Sequence, residues 1–336
     1  MDLLNASAEL LLATSLDELR RLWPRDVHLA RRLLHRWHPD RNADPRATAV
    51  FAHLQAVRQA QARAHSPQEH RWTTQQGTFA FRYLRSIPTA VGQQWYGHRI
   101  LVDTVLPDFV DLIPRAEQLQ ARLPFADADM RRQIEPMLPG KARHLPGIAG
   151  GPDLLVRARP AGMVRLAEVL IHEGGRLDPR HVGWIGSALW HLACYLEYAQ
   201  VVHQNLDTTT VWIHPEDHRI AVLDPWLFAT RAGQPLVALP PVAMNVAPRA
   251  YVDDKRAAPV LDQHLIRALL RQLLGDRTGM GLPSTVPAPL VQFVRLPPSG
   301  TALQQYAAWK AALMASFGKP TFVALAISPT TIDPED

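Results

Sequence analysis

Apolar residues recur on one helical face at Leu29, Leu33, Leu34 and Trp37, while Arg31, Arg32 and Arg36 point elsewhere. After the break His38-Pro39-Asp40-Arg41-Asn42 the helical period resumes over 47–64 at Val50, Phe51, Leu54 and Val57, with no glycine or proline inside. The spacing predicts two antiparallel helices joined by a proline-stiffened loop. Polar, proline-interrupted residues from His65 to His70 predict a linker. From Phe79 the period drops to two: Phe79, Phe81 and Tyr83 alternate with polar residues, and further runs follow at Trp95–Val105 and Phe109–Ile113. These predict three antiparallel strands, with Leu154–Arg157 as another. Ala128–Met137 reads as a short helix interrupted by Pro136.

Past Pro160 the helical period dominates. Ile185, Ala188, Leu189, Leu192 and Leu196 form one stripe. Val211–His214 and Ile220–Leu223 predict two strands around the turn at 215–218, and a proline-rich loop is expected over 230–259. Leu261–Leu274 is apolar around most of its circumference, which predicts a buried helix, and Leu303–Met314 predicts a last one. The fold class expected from this order is α+β, with no internal repeat.

Composition narrows the function classes. A chain of 336 residues has room for two or three domains with cores of their own. Its single cysteine, Cys194, excludes an intrachain disulfide and a four-cysteine zinc site. The formal net charge of +5 comes almost entirely from arginine, since the lysines are Lys141, Lys255, Lys310 and Lys319. No basic cluster interleaves with aromatics, so nucleic-acid binding is unsupported. Trp184–Val202 contains His191, Glu197 and Gln200 and is amphipathic, and no secretory leader is read at the start. A cytoplasmic protein without a membrane partner is expected. His214 and His218 flank one turn but lack a third ligand at useful spacing, so no metal site is expected. Neither a nucleophile elbow nor a phosphate-cradling glycine loop with its lysine occurs.

The segment 14–65 resembles a DnaJ-type J domain, through the basic helix, the His38-Pro39-Asp40 loop and the spacing Phe51, Leu54, Val57. Arg41 stands where that family has a lysine after the tripeptide. The resemblance implies a helical domain over 1–65 that engages a DnaK-type chaperone and stimulates its ATPase. His38 and Asp40 would make the contact, Pro39 would hold the loop, and Arg31, Arg32 and Arg36 would steer docking. The cysteine-rich region and glycine/phenylalanine linker of full-length DnaJ proteins are missing.

After a linker at 66–78, the remainder resembles a protein kinase: a small antiparallel β lobe over 79–158, a large helical lobe over 159–325, and a tail over 326–336. Val202-His203-Gln204-Asn205-Leu206 is similar to the catalytic loop, Leu223-Asp224-Pro225-Trp226 to the Asp-Phe-Gly segment, and Leu261-Asp262 to the start of the central helix. Matched residue by residue, the chemistry is missing. The third-strand lysine position falls on Ile113, the base position on Asn205 and the metal-binding asparagine on Thr210. The ion-pair glutamate of the small-lobe helix corresponds to Glu135. His203 is expected to pack in the core, Asp262 to anchor the loop, and Asp224, which alone keeps its family identity, to play a structural role. The resemblances together imply a non-enzymatic, co-chaperone-like adaptor whose degenerate kinase-like domain binds a protein client or assembly, without ATP or Mg²⁺. The alternative is an atypical phosphoryl or nucleotidyl transferase built on Asp224.

Overall fold

The computed structural model describes residues 7–12, 29–65, 68–327 and 332. They fall into two compact units, one of the residues up to Gln68 with the turn His172–Gly174, the other of the remainder.

The first unit is helical. Helices α1 (Ser7–Leu12), α2 (Leu29–Arg36) and α3 (Ala47–His65) bury Leu10, Leu33, Trp37, Ala47, Val50 and Leu54 in one small core, with Leu34 alongside. Asp44 starts α3: its carboxylate accepts the Arg46 N–H at 2.8 Å, and its carbonyl accepts the Ala47 N–H at 2.8 Å. The Arg46 side chain and N–H together hold the Asp44 carboxyl down to about 2. Asn42 reaches back to the Arg36 carbonyl at 3.3 Å and so closes the end of α2. The predicted J-type segment is described only from Leu29 onward, and the side chains of Arg31 and Arg32 also lie outside the described residues.

The second unit begins inside the expected linker. Gln68–Thr74 is strand β1 and Gly77–Tyr83 is β2, forming a two-stranded sheet. The reason is a period of two hidden among polar letters: His70, Trp72 and Thr74 turn inward while Glu69, Arg71 and Thr73 are exposed. His70 packs between Trp72 and Trp95, at centroid distances of 4.2 and 4.5 Å.

A five-stranded antiparallel sheet follows, ordered β3-β4-β5-β7-β6, from β3 (Arg85–Thr89), β4 (Gly92–Tyr96), β5 (Ile100–Val105), β6 (Arg143–Leu145) and β7 (Asp153–Ala158). The run Trp95–Val105 is thus two strands, bent at Gly97. The expected strand at Phe109–Ile113 is instead a 3₁₀ turn, Pro107–Phe109, leading into helix α4 (Leu112–Ala121). Pro107 opens the 3₁₀ turn and Pro114 sits within the first turn of α4, where the missing N–H costs nothing. A short apolar run has no period long enough to tell strand from buried helix. Helix α5 (Ala128–Ile134) is capped by Asp127, whose side chain accepts the Met130 N–H at 2.7 Å, and a second 3₁₀ turn covers Glu135–Met137.

The helical part starts with β8 (Val164–Arg165) and α6 (Leu166–His172). It continues through α7 (Pro179–Tyr198), β9 (Val201–Val202), β10 (Val211–His214), β11 (Arg219–Val222) and β12 (Thr230–Arg231). Strands β8, β10 and β11 form one small antiparallel sheet, and β9 pairs with β12. The expected loop over 230–259 also holds the short helices α8 (Pro241–Val246) and α9 (Arg249–Asp254). Helices α10 (Val260–Leu273), α11 (Ala288–Arg295) and α12 (Ala302–Phe317) complete the unit.

Helix α7 is the spine. Ile185, Leu189, Leu192 and Leu196 share one core with Leu265, Leu269, Leu290 and Trp309 from α10, α11 and α12. Gly186 lets α7 and α12 touch: a Cβ there would stand 2.5 Å from Trp309 Cζ2 and 3.0 Å from Leu270 Cδ2. Helix propensity alone favours alanine by about 1 kcal/mol. Overpacking costs more, so Gly186→Ala is expected to destabilise by about 1–3 kcal/mol, read as a lower urea midpoint at unchanged slope. A rise in the midpoint would mean that the two helices part without cost.

Candidate functional site

In the first unit the feature offered to solvent is the loop between α2 and α3. The N–H groups of Arg41 and Asn42 both donate to the His38 carbonyl, at 2.9 and 3.0 Å, which tightens the turn around Pro39. The His38 ring meets Phe51 edge-on at 4.9 Å, and its Nδ1 accepts the Asp40 N–H at 3.3 Å. Asp40 itself projects outward, its side chain 85 % exposed. Arg36 is exposed on the last turn of α2, and Arg41 meets His35. Phe51, two turns ahead of Val57 on α3, supports the loop from below, while Leu54 and Val57 are buried.

In the second unit a cavity of about 300 Å³ opens between the strand-rich and helical parts. Its roof is the β3–β4 turn with Thr89 and Val91, followed by Gln94 and Asp103 from β4 and β5; its floor is Asn205, Asp207, Thr210 and Asp224. The floor is built around Asp262. This carboxylate, 2 % exposed in the first turn of α10, accepts the N–H groups of His203 at 2.7 Å and Gln204 at 2.8 Å. Gln204 adopts a left-handed φ of 71°, which turns the chain sharply after β9. Thr210 closes the loop by donating its hydroxyl to the Asn205 carbonyl at 2.7 Å, and Thr210 Oγ1 in turn accepts the Asp207 N–H at 3.0 Å.

Asp224 follows β11, with both of its oxygens occupied. Oδ1 meets His203 Nε2 at 2.9 Å and Oδ2 accepts from the Asn205 amide at 3.2 Å. Burial pushes the Asp224 carboxyl up, but the charge and hydrogen bond of His203, with Asn205 and Arg157, outweigh it and hold the group below the usual carboxylate range. Burial likewise pushes His203 down, and Asp224 and Asp262 draw it above its ordinary value. The roof has its own pair. Asp103 is ion-paired to Arg157 and accepts from Gln94 Nε2 at 2.9 Å, while Arg157 Nη1 donates to the Asp224 carbonyl at 2.8 Å. Burial raises the Asp103 carboxyl above its usual range despite the Arg157 charge that opposes it. Asp207 spends one oxygen on the N–H and hydroxyl of Thr209, at 2.7 and 2.6 Å. Neither lysine nor arginine lines the cavity. The buried acids Asp103 and Asp224 each have a partner from this chain.

No family model matches the sequence, and no curated protein does. Among solved structures, the chain is similar to one described as the crystal structure of BubR1 kinase domain, at 12% identity and a TM-score of 0.49, covering 70% of this chain and 80% of that one.

The sequence placed His203, Asn205, Thr210, Asp224 and Asp262 as candidates, and the fold brings all five together at this floor. Two others are corrected. Ile113 is not on a strand but buried at the start of α4, and the β5 residue that lines the cavity is Asp103. Glu135 is exposed in a 3₁₀ turn and contributes nothing to the cavity. Asp103, Arg157 and Gln94 were missed. The register pairs Asp103 with Leu155 and Leu101 with Arg157, which puts the two charges on a diagonal of one sheet face. The available signal was a lone charge inside each of two apolar runs, Ile100–Val105 and Leu154–Val156 with Arg157.

Other candidates are absorbed by packing. Cys194 is half-buried, and burial pushes its thiol above the ordinary value. His218 stacks between Trp184 and Phe322, at 4.5 and 4.2 Å. No cluster of three or more metal-binding side chains occurs among the described residues, and no helix among them is long and apolar enough to cross a membrane.

Proposed function

We propose that this chain is a co-chaperone-like adaptor. Its first unit engages a DnaK-type chaperone through the His38-Pro39-Asp40 loop. Its second unit is a protein-kinase-like body that has lost phosphotransfer and binds a protein client or assembly. The observation that carries the reading is the loop: two helices on one core hold His38 against Phe51 and leave Asp40 outside, where a partner surface can reach it. For the second unit, the support is the order of its parts and the cavity between them. A catalytic-loop-like turn, held by Asp262, faces an aspartate after the β10–β11 hairpin. A phosphotransferase needs a lysine on the third strand, a base and two metal ligands. Here those positions hold Asp103, Asn205, Thr210 and an Asp224 already bonded on both oxygens.

His38→Gln is expected to abolish stimulation of DnaK-type ATP turnover in a single-turnover assay. The ring is 41 % exposed, so the fold should lose no more than the aromatic contact, about 1 kcal/mol. Unchanged stimulation by that variant would end the adaptor reading. A parallel arm titrates Mg-ATP against the melting temperature of the full chain. Ligand at about 100 times its Kd adds about 2.7 kcal/mol of stability, and no shift is expected. A shift lost in Asp224→Asn would instead show nucleotide binding at Asp224, which the transferase alternative requires.

A further inference from the structure

Away from the cavity just described, a second recess of about 430 Å³ lies between α4 and the segment that begins with β12. Three arginines line it, Arg115 from α4, Arg122 just past its end and Arg231 from β12, with the amides of Gln118 and Gln234 beside them and no carboxylate in the wall. The helix supplies its part by spacing: 115, 118 and 119 fall at i, i+3 and i+4, one face of α4, and Arg122 follows at its C-terminal end. Arg231 is fixed in place, donating to the Ala199 carbonyl at 2.9 Å and the Arg122 carbonyl at 3.4 Å. Arg115 and Arg122 are exposed, and neither guanidinium has an acidic partner within 4.0 Å among the described residues. The lining carries three guanidinium charges and no carboxylate, so an anion is the complement it lacks.

We propose that this recess is a phosphomonoester site, into which a phosphorylated side chain of a partner protein docks. A phosphate monoester carries nearly two negative charges and three acceptor oxygens, enough for three guanidinium forks, whereas a carboxylate suits only one. Protein is favoured over nucleic acid or membrane by shape. The three arginines line one recess, and Pro235, Leu236 and Val237 supply an apolar wall for the flanking peptide. The site is independent of the adaptor reading, and stands or falls without it.

The test uses the full chain at constant ionic strength, with anisotropy of a labelled phosphoserine peptide competed by unphosphorylated peptide, glutamate-substituted peptide and inorganic phosphate. The phosphopeptide is expected to bind with an affinity that falls as salt rises, and at least about tenfold more tightly than inorganic phosphate. Arg115→Ala combined with Arg122→Ala should weaken it by about a hundredfold, the scale of two charge-assisted hydrogen bonds, with an unchanged melting temperature because neither side chain is engaged in the fold. Arg219→Ala, which removes a guanidinium already paired to Asp217 elsewhere, should leave binding intact. No binding, equal binding by the double variant, or equal competition by the unphosphorylated peptide would each overturn the site. Inorganic phosphate binding as tightly as the phosphopeptide would overturn the protein partner.

Discussion

Asp262→Ala is expected to cost about 3–5 kcal/mol of unfolding free energy, a large share of the about 5–15 kcal/mol that holds a folded protein. Two buried N–H groups, of His203 and Gln204, lose their acceptor at once, and each orphaned donor costs about 1–3 kcal/mol. No neighbouring oxygen is placed to replace it, because the turn at Gln204 aims both groups into the start of α10. Asp262→Asn, which keeps one acceptor and turns a donor toward the other N–H, should fall between wild type and alanine. The measurement is a urea midpoint at constant slope. A loss under about 1 kcal/mol for the alanine variant would show that the loop is held by Thr210 and Asp224 without its central anchor.

Arg157→Met should be nearly as severe. Arg157 is 3 % exposed, and its removal leaves Asp103, 1 % exposed, as a buried carboxylate without its cation, and the Asp224 carbonyl without its donor. Breaking such a pair on one side costs about 3–5 kcal/mol, whereas replacing both members by apolar residues of similar size is often close to neutral. The double variant Asp103→Leu, Arg157→Met is therefore expected to recover most of the loss, giving a large non-additive coupling in the cycle. Simple additivity would mean that the two charges are solvated rather than matched.

What the sequence made legible follows the strength of its periods. Helices α7 and α10 announce themselves because each buries a stripe several turns long, as Ile185 to Leu196 does on α7. The hairpin β10–β11 is equally plain, since apolar runs flank a turn. Strand β1 was read as linker because two of its three inward residues, His70 and Thr74, are polar and are paid for by aromatic stacking and a hydroxyl bond to the Gly77 carbonyl. The run Phe109–Ile113, which leads into α4, was read as a strand because Pro107 and Pro114 fall where a helical turn tolerates them but a reader sees punctuation. Of the cavity, the floor was legible from local order along the chain. The roof was not, because Asp103 and Arg157 are 54 residues apart and become a pair only once the β5–β7 register is known.

The double grip on Asp224 also bears on how this molecule can change over time. On the kinase-like reading, Asn205 stands at the position of the base, and its amide donates to Asp224 Oδ2 at 3.2 Å. Reversion to aspartate would trade that donor for an acceptor facing another acceptor, two carboxylates in a space built for one negative charge, and one of them would be forced to stay protonated. On that reading, a change back to aspartate opens with a step that weakens the molecule before any activity could follow.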